Sequence, residues 1–212
     1  MNSSASPSAP SNTRLQPRPL TAGTHLARCS AIIDLGTHTE VARSVSGAPA
    51  TTTSAGATAK RKLLLTFTLF AQDGSTQRLS RQFTLSCDVR SSLSKFLTPW
   101  LGTAWKHTLP CTKLASLKVS GIAEQPCLLV LQPSEATNPR TGQPWLNIAS
   151  ASPLIAGLDV PTLKWPASLF SLKAPNREVF QQLPAWIQAK IRASHEWQTL
   201  RSRAPKGVVQ PA

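Results

Sequence analysis

Acidic residues are scarce in this chain. Nine Asp and Glu stand against 23 Lys and Arg in 212 residues, giving a formal net charge of +14 and a pI near 10.7. Such an imbalance points to an anionic partner. The excess is +3 over residues 1–60, +6 over 61–140 and +5 over 141–212, so it is not confined to a tail. The few carboxylates are scattered, without the adjacent acidic pair that metal-dependent phosphoryl transfer needs.

Long hydrophobic runs are also missing. The longest, Leu63-Leu64-Leu65 and the run from Cys127 to Leu131, fall far short of the roughly 20 residues of a membrane-spanning helix. No membrane association is expected. Residues 1–22 carry Ser and Pro where an export signal has a continuous apolar core, so a cytoplasmic location is expected. Cysteine spacing of the CxxC kind is absent. Cys29, Cys87, Cys111 and Cys127 are read as small buried hydrophobes in a reducing compartment.

Enzyme signatures are lacking as well: there is no GxxxxGK[ST], GxGxxG, HExxH or GxSxG. His25 with Cys29 and His107 with Cys111 share a four-residue spacing and could supply four zinc ligands. The first pair lies on a strand-like run, however, and neither sits in a knuckle turn. Asp34 and His38 are separated by Gly36. No metal, no cofactor and no catalysis are expected.

What is present is a succession of short apolar segments between two tails. Residues 1–22 hold five Ser, four Pro and no acidic residue, and 203–212 hold Pro205, Gly207 and Pro211; both read as disordered. Residues 41–59, rich in Thr, Ser and Ala, read as a flexible internal loop. Five strands are expected, over 24–35, 62–70, 78–86, 126–131 and 145–151. The clearest is KLLLTFTLF, with Leu63, Leu65, Phe67 and Leu69 alternating with Thr66 and Thr68. Asp73-Gly74 makes it a hairpin with RLSRQFTLS. Between the third and fourth strands, SSLSKFLTPWL has helical spacing, a Ser start and Gly102 as a stop, with a break or kink near Pro99. Leu114, Leu117 and Val119 suggest a further short turn.

This order predicts a mainly β fold with some α: a five-stranded OB-like Greek-key barrel over residues 23–153, with a helix between strands 3 and 4. A C-terminal extension over 154–202 follows. It begins as an irregular surface segment punctuated by Pro161 and Pro166 and continues as helices: REVFQQL capped by Asn176, then a run opened by Pro184 from Ala185 to Arg201. The apolar stripe Ile187, Ile191 and Ser194 or His195 must dock on the barrel or on another subunit.

Single-strand nucleic-acid binders combine a cationic groove with aromatic stacking platforms. Lys60, Arg61 and Lys62 form the densest basic cluster. Arg28 lies within the first strand. Arg78 falls on the polar face of the third, while Arg81 shares phase with Leu79 and Phe83 and is expected near a barrel rim. Phe70 ends the second strand out of phase with its core face, and Trp145 follows a turn close to Arg140; each is read as a base-stacking platform or as packing. Trp100, Trp105, Trp165, Trp186 and Trp197 are read as packing residues.

The segments GTHLARCSAIIDLGT (23–37), KLLLTFTLF…RQFTLS (62–86), SSLSKFLTPWLG (91–102), PCLLVL…WLNIASASPL (126–154) and FSLKAPNREVFQQLPAWIQAKIRASHEW (170–197) together resemble a family of small bacteriophage proteins found among replication and recombination functions. The resemblance implies an OB-type single-stranded-DNA-binding protein in a bacterial host cytoplasm, with phage replication or recombination proteins as partners; docking of the C-terminal helix stripe on another subunit, the alternative to docking on the barrel, would make a homo-oligomer. Where that family leads its fourth strand with Gly-Lys, this chain has Glu124-Gln125. The alternative expectation is a structural adaptor that binds a protein partner through the C-terminal helix.

Overall fold

The structure, a computed structural model, describes residues 20–40, 58–103, 105 and 121–203. Their elements are β1 (Gly23–Glu40), β2 (Thr58–Phe70), β3 (Thr76–Thr84), α1 (Ser92–Leu101), β4 (Pro126–Thr137), β5 (Pro144–Ser152), β6 (Ser168–Phe170), α2 (Arg177–Gln182), α3 (Ala185–Arg192) and α4 (His195–Arg203). The strands form one sheet in the order β3-β2-β1-β4-β5, antiparallel throughout except that β6 adds to β1 in parallel. The fold is mainly β with a few short helices, an open sheet compatible with a barrel-like form.

All five expected strands are present, most of them longer than the sequence pattern suggests. β2 begins at Thr58, so Thr58 and Ala59 belong to a strand rather than to the loop; residues 41–57 lie outside the described part. So do the turn expected around Leu114, the tail residues 1–19 and residues 204–212. Leu20 packs against the core, which shortens the expected N-terminal tail. β6 was not anticipated. Three residues in a proline-punctuated segment carry no alternation, and only pairing with Ala31, Ile32 and Ile33 makes them a strand.

Strand alternation sends the two faces of the sheet into different environments. On one face, Ala27, Cys29, Leu63, Leu65, Phe67, Leu69, Phe83, Cys127 and Leu129 form the main core. Helix α1 closes it. Ser91 caps the helix by accepting from the Ser94 amide at 3.0 Å, and the helix continues through Pro99 to Leu101 before Gly102 ends it at φ 68°. Its Phe96 lies 5.9 Å from Phe67 and 5.0 Å from Phe83, ring centre to ring centre, and Trp100 Nε1 donates to the Pro126 carbonyl at 2.9 Å. Aromatic contacts of this kind contribute about 0.5–1.5 kcal/mol each beyond area burial.

The other face is only half covered. Ala31, Ile33, Leu35 and Leu64 pack against Phe170, Leu172, Phe180, Leu183, Ile187 and Ile191, so the apolar stripe of the C-terminal helices docks on the protein's own sheet. The helix expected to run from Ala185 to Arg201 is broken in two at Ala193–Ser194. Ser194 Oγ donates to the Ile191 carbonyl at 2.7 Å and accepts from the Trp197 amide at 3.3 Å, ending α3 and capping α4. The break seats buried Ser194 against Gly36, whose φ of +81° and lack of a Cβ permit the approach.

Candidate nucleic-acid interface

The cations expected to line a groove have divided roles. Arg61 reaches the fully buried Asp34, pairing Nη2 with Oδ2 and donating from Nε to Oδ1 at 3.1 Å. Asp34 also accepts from the amides of Gly36 (3.1 Å) and Leu172 (3.2 Å). Nη1 of Arg61 lies 3.5 Å from Glu196. Burial works to raise the Glu196 pKa, but the Thr37 hydroxyl and amide together with Arg61 outweigh it, so the carboxyl titrates below its ordinary range. Lys62 is buried and bonds Glu40 and the Thr84 hydroxyl (2.8 Å); Lys60 lies 3.4 Å from the same Glu40. These bonds, Lys62 foremost, hold the Glu40 pKa down.

Arg28 donates to three backbone carbonyls, those of Pro161 (2.7 Å), Glu124 (2.9 Å) and Val160 (2.7 Å). It thereby ties the irregular segment after β5 onto the sheet. Glu124 is the one non-glycine residue with positive φ, at 64°, among the described residues. Its Oε1 accepts from the Ala167 amide at 2.9 Å, a contact that a glycine there would forgo. Arg81 occupies the core phase of β3, as its spacing suggests, opposite Leu65. Its Nη1 donates to the carbonyls of Ile148 (2.6 Å) and Ala149 (2.8 Å) on β5, and its guanidinium packs over Phe83 and Phe96. Burial lowers its pKa. Arg81 bridges the two ends of the sheet.

Of the remaining expected residues, Phe70, Arg78 and Trp145 lie on the sheet face opposite the main core, which the 160–161 segment crosses at Arg28. Directly paired residues lie on the same side of a sheet, and the register sets Thr76, Phe70, Leu26, Leu128 and Ser152 in a row across five strands. Beside it runs Arg78, Thr68, Arg28 and Pro126, and on the other flank Thr24, Val130 and Ser150. On β5, Leu146 packs inward, which turns its neighbours Trp145 and Asn147 to this same face. Phe70, Leu26, Leu128 and Val130 are half-buried, Arg78 is exposed, and Trp145 is 51% exposed. Arg78 has no ion pair among the described residues. The hydroxyl of Thr68 is buried without a hydrogen-bond partner. Arg140 stands at the β4–β5 tip, where Asn138 organises the turn by accepting from the Arg140 amide at 2.9 Å.

Two of the five tryptophans expected to pack do not. Trp100 and Trp105 are buried, and Trp197 stacks on Phe180 at 4.6 Å, whereas Trp165 and Trp186 are 67% and 50% exposed. The cysteines divide in the same way. Cys29 and Cys127 are free and buried; burial and then Cys127 push the Cys29 thiol up, and burial pushes Cys127 up to about 12. Cys87 is disulfide-bonded, against the expectation of a reduced thiol. It lies half-buried between β3 and α1, packed against the edge of the core in which the other two are fully buried. Cys111 falls outside the described residues.

Among the described residues no cluster of three His, Cys, Asp or Glu could hold a metal ion, and no helix is long and apolar enough to cross a membrane. No family model, curated protein or solved structure matches the chain.

Proposed function

We propose that this chain is a non-enzymatic single-stranded-DNA-binding protein that holds the strand on the part of the outer sheet face of an OB-type barrel that its own C-terminal segment leaves open. The observation that carries this reading is that Phe70 and Arg78 stand in adjacent rows of one sheet face, with Trp145 on the same face at the far end of β5, all three outside the internal ion pairs and carbonyl contacts that occupy Arg28, Arg61, Lys62 and Arg81. Phe70 and Trp145 offer flat rings on which bases stack, at about 1–3 kcal/mol each, and Arg78 and Arg140 offer cations for the phosphates. The five-strand order with a helix after β3 supports the OB-type assignment. Single strands exposed in replication or recombination are the ligands that the phage resemblance implies.

The adaptor reading loses its main support, because the stripe Ile187 and Ile191 is buried on this chain's own sheet. A bacterial host cytoplasm is the location implied by the resemblance, and the state of Cys87 tests it, since a reducing cytoplasm would hold that residue as a thiol. The functional test is a tryptophan-fluorescence titration with oligo-dT at two salt concentrations, with duplex of equal length as competitor. Quenching, preference for the single strand and a steep salt dependence are expected. Equal binding of duplex and single strand without quenching would reduce the site to general electrostatics.

A further inference from the structure

The outward row of β3 does not stop at Arg78. Ser80 and Gln82 continue it, both exposed, and Gln82 lies roughly 13 Å from Arg78 at strand spacing. There the row passes onto helix α3: Lys190 Nζ donates to Gln82 Oε1 at 2.7 Å. The same ammonium lies 5.7 Å from the ring centre of Trp186, one helical turn earlier. Trp186 is half exposed, and the docking of α3 is carried by Ile187 and Ile191 instead. Neither β3 nor α3 contains an acidic residue, so the path from Phe70 to Trp186 offers a strand of phosphates no repulsive charge of its own.

We infer that Trp186, Lys190 and Gln82 form a second subsite for single-stranded nucleic acid. The bound strand runs from the Phe70–Arg78 end along β3 and onto α3. This rests on the nucleic-acid reading above and extends it in length. A base stacks on the exposed ring of Trp186, Lys190 turns from Gln82 to a phosphate, and the freed Gln82 amide meets a base edge. An aromatic platform beside an ammonium is the pairing of groups that single-strand grooves repeat along their length.

The test uses the full chain and oligo-dT of about 5 and about 20 nucleotides, the first near the lower end of the usual site sizes of such barrels and the second beyond the upper end. Trp186→Ala and Lys190→Ala are compared with wild type, with urea midpoints confirming that both variants fold. Affinity for the long oligonucleotide is expected to fall about fivefold or more in Trp186→Ala, so that the advantage of the long over the short one shrinks. In Lys190→Ala the salt dependence should flatten by about 0.7 in slope. If wild type binds and both variants keep the full length advantage and slope, the second subsite is refuted while the main reading stands. If wild type binds neither oligonucleotide at low salt, the main reading falls and the subsite falls with it.

Discussion

The carboxylate of Asp34 and the guanidinium of Arg61, 27 positions apart in sequence, form a buried ion pair in which Asp34 has no exposed surface. Two backbone amides complete the set of donors around the carboxylate, and one of them, from Leu172, fastens the C-terminal segment to β1. Arg61 is thereby a structural cation. Removing one partner of such a pair leaves the other buried and uncompensated, at a cost of about 3–5 kcal/mol. Arg61→Ala should lower the unfolding free energy in urea by that order. A change below about 1 kcal/mol would show that the pair is solvated in solution.

Gly36 should be equally intolerant of a side chain. A Cβ there would meet Ser194 Cβ at 2.4 Å and Leu172 Cδ1 at 2.7 Å, in a backbone conformation that L-residues disfavour. Gly36→Ala is expected to destabilise by roughly 2–4 kcal/mol, from strain and overpacking together. An unchanged melting temperature would mean that α4 is not seated on β1 as described.

Acid should weaken the same region. The Glu196 carboxyl titrates below its ordinary range because Thr37 and Arg61 outweigh burial, and Glu40 is held down by Lys62. A carboxyl with a depressed native pKa binds fewer protons folded than unfolded, so its contribution is complete above the unfolded value of about 4.3 and is lost as pH falls through the folded one. Urea midpoints should therefore drop below about pH 4.3. Glu196→Gln should be less stable at neutral pH and show a shallower acid decline; an unchanged acid profile would remove Glu196 from the linkage.

Cys87 gives a chemical test. In the non-reduced native protein, a thiol reagent should leave Cys87 unmodified because it is disulfide-bonded, and Cys29 and Cys127 unmodified because they are buried. After unfolding without reductant, Cys29 and Cys127 should react and Cys87 should not. Cys87→Ser should cost about 2–4 kcal/mol. Labelling of Cys87 in the unfolded, non-reduced chain would contradict the bridge.

The sequence pattern discloses the fold better than the site. Strand β2 is legible because one face must be apolar, and the phases of Phe70, Arg78 and Arg81 follow from simple alternation. The partners of the cations are not legible, since Arg61–Glu196 and Arg28–Pro161 join positions more than a hundred residues apart. A dense basic cluster looks the same in sequence whether it meets phosphate or its own carboxylates. One signal was available: Asp34 stands inside the apolar run AIIDL, where a carboxylate needs a cation. Trp186 was misassigned because helical spacing indicates a stripe but not its edge.

The most direct measurement compares two double variants in oligo-dT binding at constant salt: Phe70→Ala with Trp145→Ala, and Lys60→Ala with Lys62→Ala. Loss of both stacking platforms should weaken binding by about tenfold or more, whereas loss of the two lysines, already paired with Glu40, should change affinity by less than about threefold in protein that remains folded. The opposite ranking, with the lysine pair dominant and the aromatic pair neutral, would contradict binding on the Phe70–Trp145 face.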